Sequence, residues 1–143
     1  MKSVPMKSLA CAVALACAGI PTVASADHTW GSYHWARTAN PFTLKLGDNV
    51  SPNWDPILTT TQGDWSTSTV LDTTIVAGST TAKRCRATNG MVQVCDSTYG
   101  KNGWLGVAQI WVSGVHITQG TTKLNDTYFN TAKYNTTPWR NLV

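Results

Sequence analysis

The chain contains no glutamate, and its seven acidic residues are all aspartate. A glutamate general base of the kind that activates metal-bound water therefore cannot come from these residues. Charged residues of both signs make up only 13% of the sequence, and the single basic run is Lys83-Arg84-Cys85-Arg86. Because nucleic-acid-binding surfaces concentrate basic residues in a patch or stripe, this scattered charge predicts no nucleic-acid partner.

Long apolar runs are equally scarce. The one candidate, Ser8 to Ile20, follows the basic residues Lys2 and Lys7 and precedes the small-x-small motif Ala24-Ser25-Ala26. This arrangement is typical of a cleaved signal peptide, here residues 1–26, and the run is too short to span a bilayer. We therefore expect a secreted or periplasmic protein that has no membrane contact after cleavage.

Cysteine is sparse in the remaining residues 27–143, which keep only Cys85 and Cys95. In an exported chain these two are expected to form a disulfide. Asn89-Gly90 lies between them and is a hairpin signal, so we predict a cysteine-linked hairpin with a three-residue loop or a bulge. No nearby histidine or cysteine completes a zinc ligand set, and no metal site is expected.

Threonine and tryptophan are abundant, and this composition favours strands. Apolar alternation predicts strands at Phe42–Leu46, Val70–Val76, Met91–Val94, Trp104–Val112 and Val115–Thr118. One amphipathic helix is predicted over Pro52 to Ser68, from a stripe formed by Trp54, Ile57, Leu58, Thr61 and Trp65. The expected fold is α+β, a twisted, mixed but mainly antiparallel sheet with one long amphipathic helix.

The three histidines, His28, His34 and His116, do not form a recognisable ligand pattern. His28 and His34 would face the same way on an extended strand but about 20 Å apart, too far to share a metal ion directly. Each histidine is therefore expected to be an isolated surface or half-buried residue.

The order of the segments resembles the N-terminal half of a metzincin, closest to the matrixin-like branch of these secreted zinc metalloproteases. The resemblance covers most of residues 42–143 and is carried by short stretches: Asp64-Trp65-Ser66, Trp104-Leu105-Gly106-Val107-Ala108, Val115-His116-Ile117 and Lys123-Leu124-Asn125. It implies a twisted sheet whose one antiparallel edge strand roofs the active-site cleft. By this resemblance a peptide or protein substrate would add a strand along the backbone of Leu105, Gly106, Val107 and Ala108.

The resemblance also implies a zinc ion in a longer parent protein. In that family the next element is a helix bearing His-Glu-x-x-His-x-x-Gly-x-x-His, and Thr137 to Val143 has the proline and apolar spacing of a helix start. We therefore expect residues 27–143 to be a single metalloprotease-like domain, an incomplete metzincin-like domain truncated at its C-terminus. The parent would hydrolyse peptide bonds with metal-activated water, whereas this chain alone would be inactive and hold no catalytic residue.

The resemblance places His116 at a position that ligates a structural zinc ion in matrixins. The partner position on the edge strand is occupied here by Gln109, a poor zinc ligand. No bound metal is therefore expected in this chain.

An alternative is a complete secreted β-rich binding module. Seven tryptophans support it, because aromatic faces suit sugar stacking and protein contacts. Trp30 and Trp104 are the tryptophans most expected to be exposed for such contacts.

Overall fold

The computed structural model describes residues 30–142, in which six strands form one sheet that carries three short helices. The strands are β1 (His34–Trp35), β2 (Phe42–Asn49), β3 (Leu71–Ala77), β4 (Met91–Ser97), β5 (Gly106–Ser113) and β6 (His116–Asn125). The helices are α1 (Asp55–Trp65), α2 (Asp126–Phe129) and α3 (Thr137–Arg140). The predicted signal peptide and His28 lie outside the described residues.

The sheet is mainly parallel, so the prediction of a mainly antiparallel sheet is wrong. Strand β2 pairs in parallel with β3 and β4, β4 pairs in parallel with β6, and the short β1 pairs in parallel with the start of β6. In the described residues only β5 is antiparallel, and its partner is β6. Apolar alternation could not reveal this, because it indicates which face of a strand is buried but not the direction of its neighbour.

The helical content also differs from the prediction, which placed one long helix at Pro52 to Ser68. Helix α1 has 11 residues, because the chain first makes a turn in which the Trp54 N–H donates to the Ser51 carbonyl. At the other end Ser66 leaves the helix, and its hydroxyl hydrogen-bonds the side chain of Thr73 in β3. The prediction of a single long helix is therefore wrong, and α1 is the crossover between the parallel strands β2 and β3.

The core lies where α1, α2 and the end of β6 meet. Trp54, Phe129 and Leu124 are buried together, and the Trp54 and Phe129 rings meet edge to face with centroids 4.8 Å apart. The guanidinium of Arg140 in α3 lies 4.5 Å from the centroid of the Trp54 ring. The last described helix is thus fastened to the core by a cation–π contact.

The disulfide between Cys85 and Cys95 is confirmed, with Cα atoms 6.0 Å apart. The hairpin predicted around it is wrong, since residues 78–90 form no strand and instead carry the chain from β3 to β4. Parallel strands need such crossovers of about a dozen residues. The disulfide therefore ties a crossover loop to the sheet, and such a bond is typical of an oxidising, extracytoplasmic compartment.

The same crossover is held by Gln93, which is fully buried in β4. Its Nε2 donates to the Ser79 and Thr88 hydroxyls, and its Oε1 accepts from Asn49 Nδ2 at 2.7 Å. Gly47 of the neighbouring strand leaves room for this amide, because a Cβ atom there would lie 2.4 Å from Gln93 Oε1.

No helix within residues 30–142 is long and apolar enough to cross a bilayer.

Candidate functional site

Strand β5 forms the edge of the sheet beyond β6. In the described part of the chain no strand pairs with its outer side. Ala108, Gln109, Trp111 and Val112 are exposed, so the strand presents both its outer backbone edge and apolar side chains to solvent. Natural sheets usually shield such edges, because an unpaired strand is a template for another extended chain.

The hydrogen-bond pattern shows which backbone groups of β5 face outward. The Leu105 carbonyl, just before the strand, accepts from the Asn125 N–H at 2.7 Å and so points toward β6. Backbone groups that face the partner strand alternate with groups that face away along an antiparallel strand. The N–H and C=O groups of Val107 and Gln109 therefore also point toward β6. The residues whose N–H and C=O groups point away from the sheet are Gly106, Ala108 and Ile110.

A β-bulge limits the regular part of this edge. The register between β5 and β6 shifts between Trp111 and Val112, and the Thr118 hydroxyl donates to the Trp111 carbonyl there. Bulges bend the strand that contains them and increase its twist. A second chain could therefore pair in regular register only along Gly106–Trp111.

Asn125, at the end of β6, holds the loop that leads into β5. Its side chain is fully buried, and its Nδ2 donates to the Gly100 carbonyl and to Asn102 Oδ1, both at 2.9 Å. Its Oδ1 accepts from the N–H groups of Tyr99 and Thr127 at 3.1 Å. One amide therefore fixes the loop before the edge strand and caps α2 at the same time.

Tyr99 connects the same loop to the crossover before β4. Its hydroxyl donates to the Ala82 carbonyl at 2.6 Å, and its ring packs against Trp104 with centroids 5.4 Å apart. Burial, followed by the nearby charges of Asp96 and Asp126, raises the pKa of Tyr99 to about 12. The phenol therefore stays protonated and keeps its hydrogen bond at any physiological pH.

Two carboxyl groups, Asp96 and Asp126, meet where β4 and β6 end. Asp96 is buried and accepts from the N–H and hydroxyl of Ser51 at 2.6 and 2.8 Å. Asp126 accepts from Trp54 Nε1 at 3.0 Å. Burial, followed by the hydrogen bond with Asp96, raises the pKa of Asp126 to about 6, against the opposing effects of the Trp54 hydrogen bond and Arg140.

This raised pKa predicts that the protein loses stability between about pH 4 and pH 7. The folded state holds the Asp126 proton more tightly than the unfolded chain, so its stabilising contribution is complete below the unfolded pKa and is lost as the pH rises through about 6. We expect a loss of about 1 kcal/mol, because solvent screens a half-buried carboxyl. Urea unfolding at a series of pH values measures it.

The matched variants for that measurement are Asp126→Asn and Asp64→Asn. The first keeps an acceptor for Trp54 but cannot ionise, so its stability should be nearly flat across this pH range. Asp64 is exposed at the end of α1, and its variant should keep the wild-type pH dependence. A wild-type slope in Asp126→Asn would contradict the assignment.

The structure brings together two histidines that the sequence suggested were isolated. His34 and His116 are directly opposite each other in the β1–β6 pairing, with ring centroids 4.9 Å apart and ring planes nearly perpendicular. The two lie more than 80 positions apart in the chain, so only the pairing of β1 with β6 makes them neighbours. The expectation that each is isolated is therefore wrong for this pair.

The tryptophans predicted to be exposed differ in their surroundings. Trp30 is 65% exposed, whereas Trp104 is half-buried against Tyr99. Trp65, which belongs to the predicted apolar stripe of the helix, is 59% exposed. Sequence patterns gave no indication of the roles of Asn125, Asp96 and Asp126, since single polar residues at or near the end of a strand are common.

Among residues 30–142, no group of three or more His, Cys, Asp or Glu side chains lies close enough to hold a metal ion. Gln109 lines an open surface depression with Trp111 and Gln119. The described residues thus do not provide the ligand set of a catalytic zinc site.

Compared with known proteins, the chain gives no significant match to any protein-family model, curated protein or solved structure.

Proposed function

We propose that β5 is a peptide-binding edge and that the chain is the substrate-side part of a secreted zinc endopeptidase of the metzincin type. The observation that carries the proposal is one exposed antiparallel strand at the edge of an otherwise parallel sheet. The metzincin resemblance implies an antiparallel edge strand at this place in the chain. Of the four residues matched to it from sequence, Gly106, Val107 and Ala108 begin β5, and Leu105 lies immediately before the strand.

The geometry sharpens how those four residues would act. A peptide lying along the outer side of β5 would exchange hydrogen bonds with Gly106 and Ala108, and with Ile110 beyond them. Leu105 and Val107 would contribute through their side chains and by holding β5 on β6. Main-chain hydrogen bonds of this kind bind extended peptides with little sequence selectivity, which suits an endopeptidase cleft.

The zinc chemistry would belong to the parent protein. Because the described residues lack a fitting ligand set, no hydrolytic step is assigned to any residue of this chain. Its contribution would be to bind and orient the substrate backbone. Export of the parent to the periplasm or the medium is supported by the signal-like N-terminus and by the disulfide.

Amide hydrogen exchange tests the peptide-binding edge. The probe is a mixture of unstructured ten-residue peptides of random sequence, added to the untagged protein. We expect exchange to slow at Gly106, Ala108 and Ile110, by about 10-fold at saturation, because these N–H groups gain acceptors. The amides of Val107 and Gln109 already face β6 and should change little.

Two variants of Ala108 are the matched pair for this experiment. Ala108→Pro removes an outward N–H at an edge position, where proline is tolerated, and should abolish the slowing. Ala108→Ser keeps the N–H and should bind like the wild type. Equal peptide binding by both variants would overturn the peptide-binding edge. Equal slowing of exchange at the outward-facing and the β6-facing amides of β5 would overturn it as well.

The coding sequence downstream of the Val143 codon tests the parent activity separately. An in-frame His-Glu-x-x-His sequence within the next helix would support the endopeptidase. A stop codon in its place would overturn that part of the proposal and leave the peptide-binding edge standing.

A second candidate function is carbohydrate binding by a secreted module, which the exposure of Trp30, Trp65 and Trp111 favours. Trp65 lies at the end of α1, Trp111 lies in β5 and Trp30 precedes β1, so they do not share one strand or helix face, and the edge strand is the better supported site. Two results together would favour this alternative. Added oligosaccharides would shift the NMR signals of the indole N–H groups, and added peptides would leave amide exchange along β5 unchanged.

A further inference from the structure

We propose that His34 and His116 form a two-imidazole site for a divalent transition-metal ion such as Zn²⁺ or Cu²⁺, which clamps β1 onto β6. The site is independent of the proposed peptidase activity. Gln109 has no part in it, and the two ligands come from β1 and β6, the first and last strands along the described chain.

The spacing of the two rings suits a shared ion. Two imidazoles bound to one tetrahedral ion at a metal–nitrogen distance of about 2.0 Å have their ring centroids about 5 Å apart. The observed separation is 4.9 Å, with the ring planes at 89°. The parallel register holds the two residues side by side, and rotation about the side-chain bonds would bring one nitrogen of each ring to the ion.

The tautomer of His34 is set by its surroundings. Its Nδ1 lies 2.8 Å from the Ser32 carbonyl oxygen, which can only accept a hydrogen bond. Nδ1 therefore carries the proton, and Nε2 keeps a lone pair for a metal ion. Metal-binding histidines commonly use one nitrogen for the ion and donate the other to a carbonyl in this way.

The rings are also accessible. Both histidines are exposed and line an open cleft of about 970 Å³ between β1 and the start of β2. Arg37 is the charged residue of the cleft wall, and its guanidinium lies over the Phe42 ring, 5.9 Å from the centroid. Water would fill the remaining coordination positions, since no third ligand of the His, Cys, Asp or Glu type accompanies the pair in the described residues.

Such an ion would stabilise the pairing of β1, the shortest strand of the described sheet. β1 has two residues and contacts only the start of β6 through its strand pairing, with one further hydrogen bond from the His34 N–H to the Val115 carbonyl. An ion that binds only when β1 is paired with β6 shifts the equilibrium between the paired and unpaired states of β1 toward the paired state. The pairing of β1 with β6 would then be more stable when metal is present and would weaken when the metal is removed.

Calorimetric titration of the untagged, exported protein with Zn²⁺ and with Cu²⁺ at pH 7.5 tests the site. We expect one ion per chain, tighter binding of Cu²⁺ than of Zn²⁺, and no binding of Mg²⁺, which prefers oxygen ligands. His34→Asn and His116→Asn should each weaken binding by about 10-fold or more, because even losing an outer partner of a ligand costs that much. Zn²⁺ should also slow amide exchange at His34 in the wild type, because its N–H donates to the Val115 carbonyl across the β1–β6 pairing.

His28→Asn is the matched control, since His28 is the remaining histidine of the chain. This variant should bind Zn²⁺ and Cu²⁺ like the wild type. The proposal is overturned if either pair variant binds like the wild type. It is also overturned if His28→Asn loses binding, because the ion would then be held by the N-terminal segment.

Discussion

Trp54→Ala should lower the free energy of unfolding by about 4 kcal/mol. Trp54 is 1% exposed, packs edge to face on Phe129, and donates its indole N–H to Asp126. Truncation leaves a cavity, removes the aromatic contact, and takes the cation–π partner from Arg140. The total free energy of unfolding of a domain is about 5–15 kcal/mol. The substitution should therefore remove between about a quarter and most of the stability. Urea unfolding followed by circular dichroism measures the change.

Trp65→Ala is the matched control for the core tryptophan. Trp65 occurs in the same predicted helical stripe but is 59% exposed at the end of α1. Its truncation should change stability by about 0.5 kcal/mol or less. Equal losses in the two variants would contradict the placement of Trp54 in the core.

Cys85→Ala/Cys95→Ala should destabilise the protein by about 3 kcal/mol. The two cysteines are 10 positions apart, and closing a loop of that length in the unfolded chain accounts for about this much. The expected local consequence is release of the 78–90 crossover, which then depends on Gln93 and on the Tyr99 hydrogen bond to Ala82. The midpoint of urea unfolding under oxidising conditions measures the loss.

Reduction of the wild-type protein is the control for that variant. With the disulfide reduced, wild type and double variant should unfold at nearly the same urea concentration, because both lack the cross-link. A double variant that matches oxidised wild type would show that the disulfide contributes little.

Asn125 explains how the sheet positions its exposed edge. The loop before β5 contains Gly100 and Gly103, both with positive φ, and has little apolar burial of its own. In place of apolar contacts, the buried side-chain amide of Asn125 holds the loop by hydrogen bonds to the backbone of Tyr99, Gly100 and Trp104. The hydrogen bonds of Asn125 therefore hold the loop before the edge strand, and such pre-organisation would lower the entropic cost of the proposed peptide binding.

Local features of the fold could be predicted from sequence where a local pattern determines them. The alternation of Phe42, Leu44 and Leu46 predicted β2, and Met91 to Val94 predicted the start of β4. The apolar stripe that begins at Trp54 predicted a helix, although the turn at Ser51 and the contacts of Ser66 with β3 made α1 shorter than expected. Each of these features depends on neighbours within a few positions.

The sheet direction could not be predicted in the same way. Asn89-Gly90 is a strong turn signal, and it led to a hairpin because turns and alternation alone imply antiparallel neighbours. Instead β4 lies between β2 and β6, with pairings such as Leu46 with Val92 and Val92 with Gly120. Those pairings bury apolar surface from distant parts of the chain, which no local pattern records.

Residue type and short-range spacing were enough to locate β2, the start of β4 and the helix that follows Trp54, to identify Cys85 and Cys95 as a disulfide pair, and to exclude a glutamate base. The tertiary structure alone decided the parallel order of the strands, the outward direction of Gly106, Ala108 and Ile110, and the meeting of His34 with His116 and of Asp96 with Asp126. These features depend on burial and strand pairing between segments distant in the chain, such as His34 with His116, 82 positions apart, and Asp96 with Asp126, 30 positions apart.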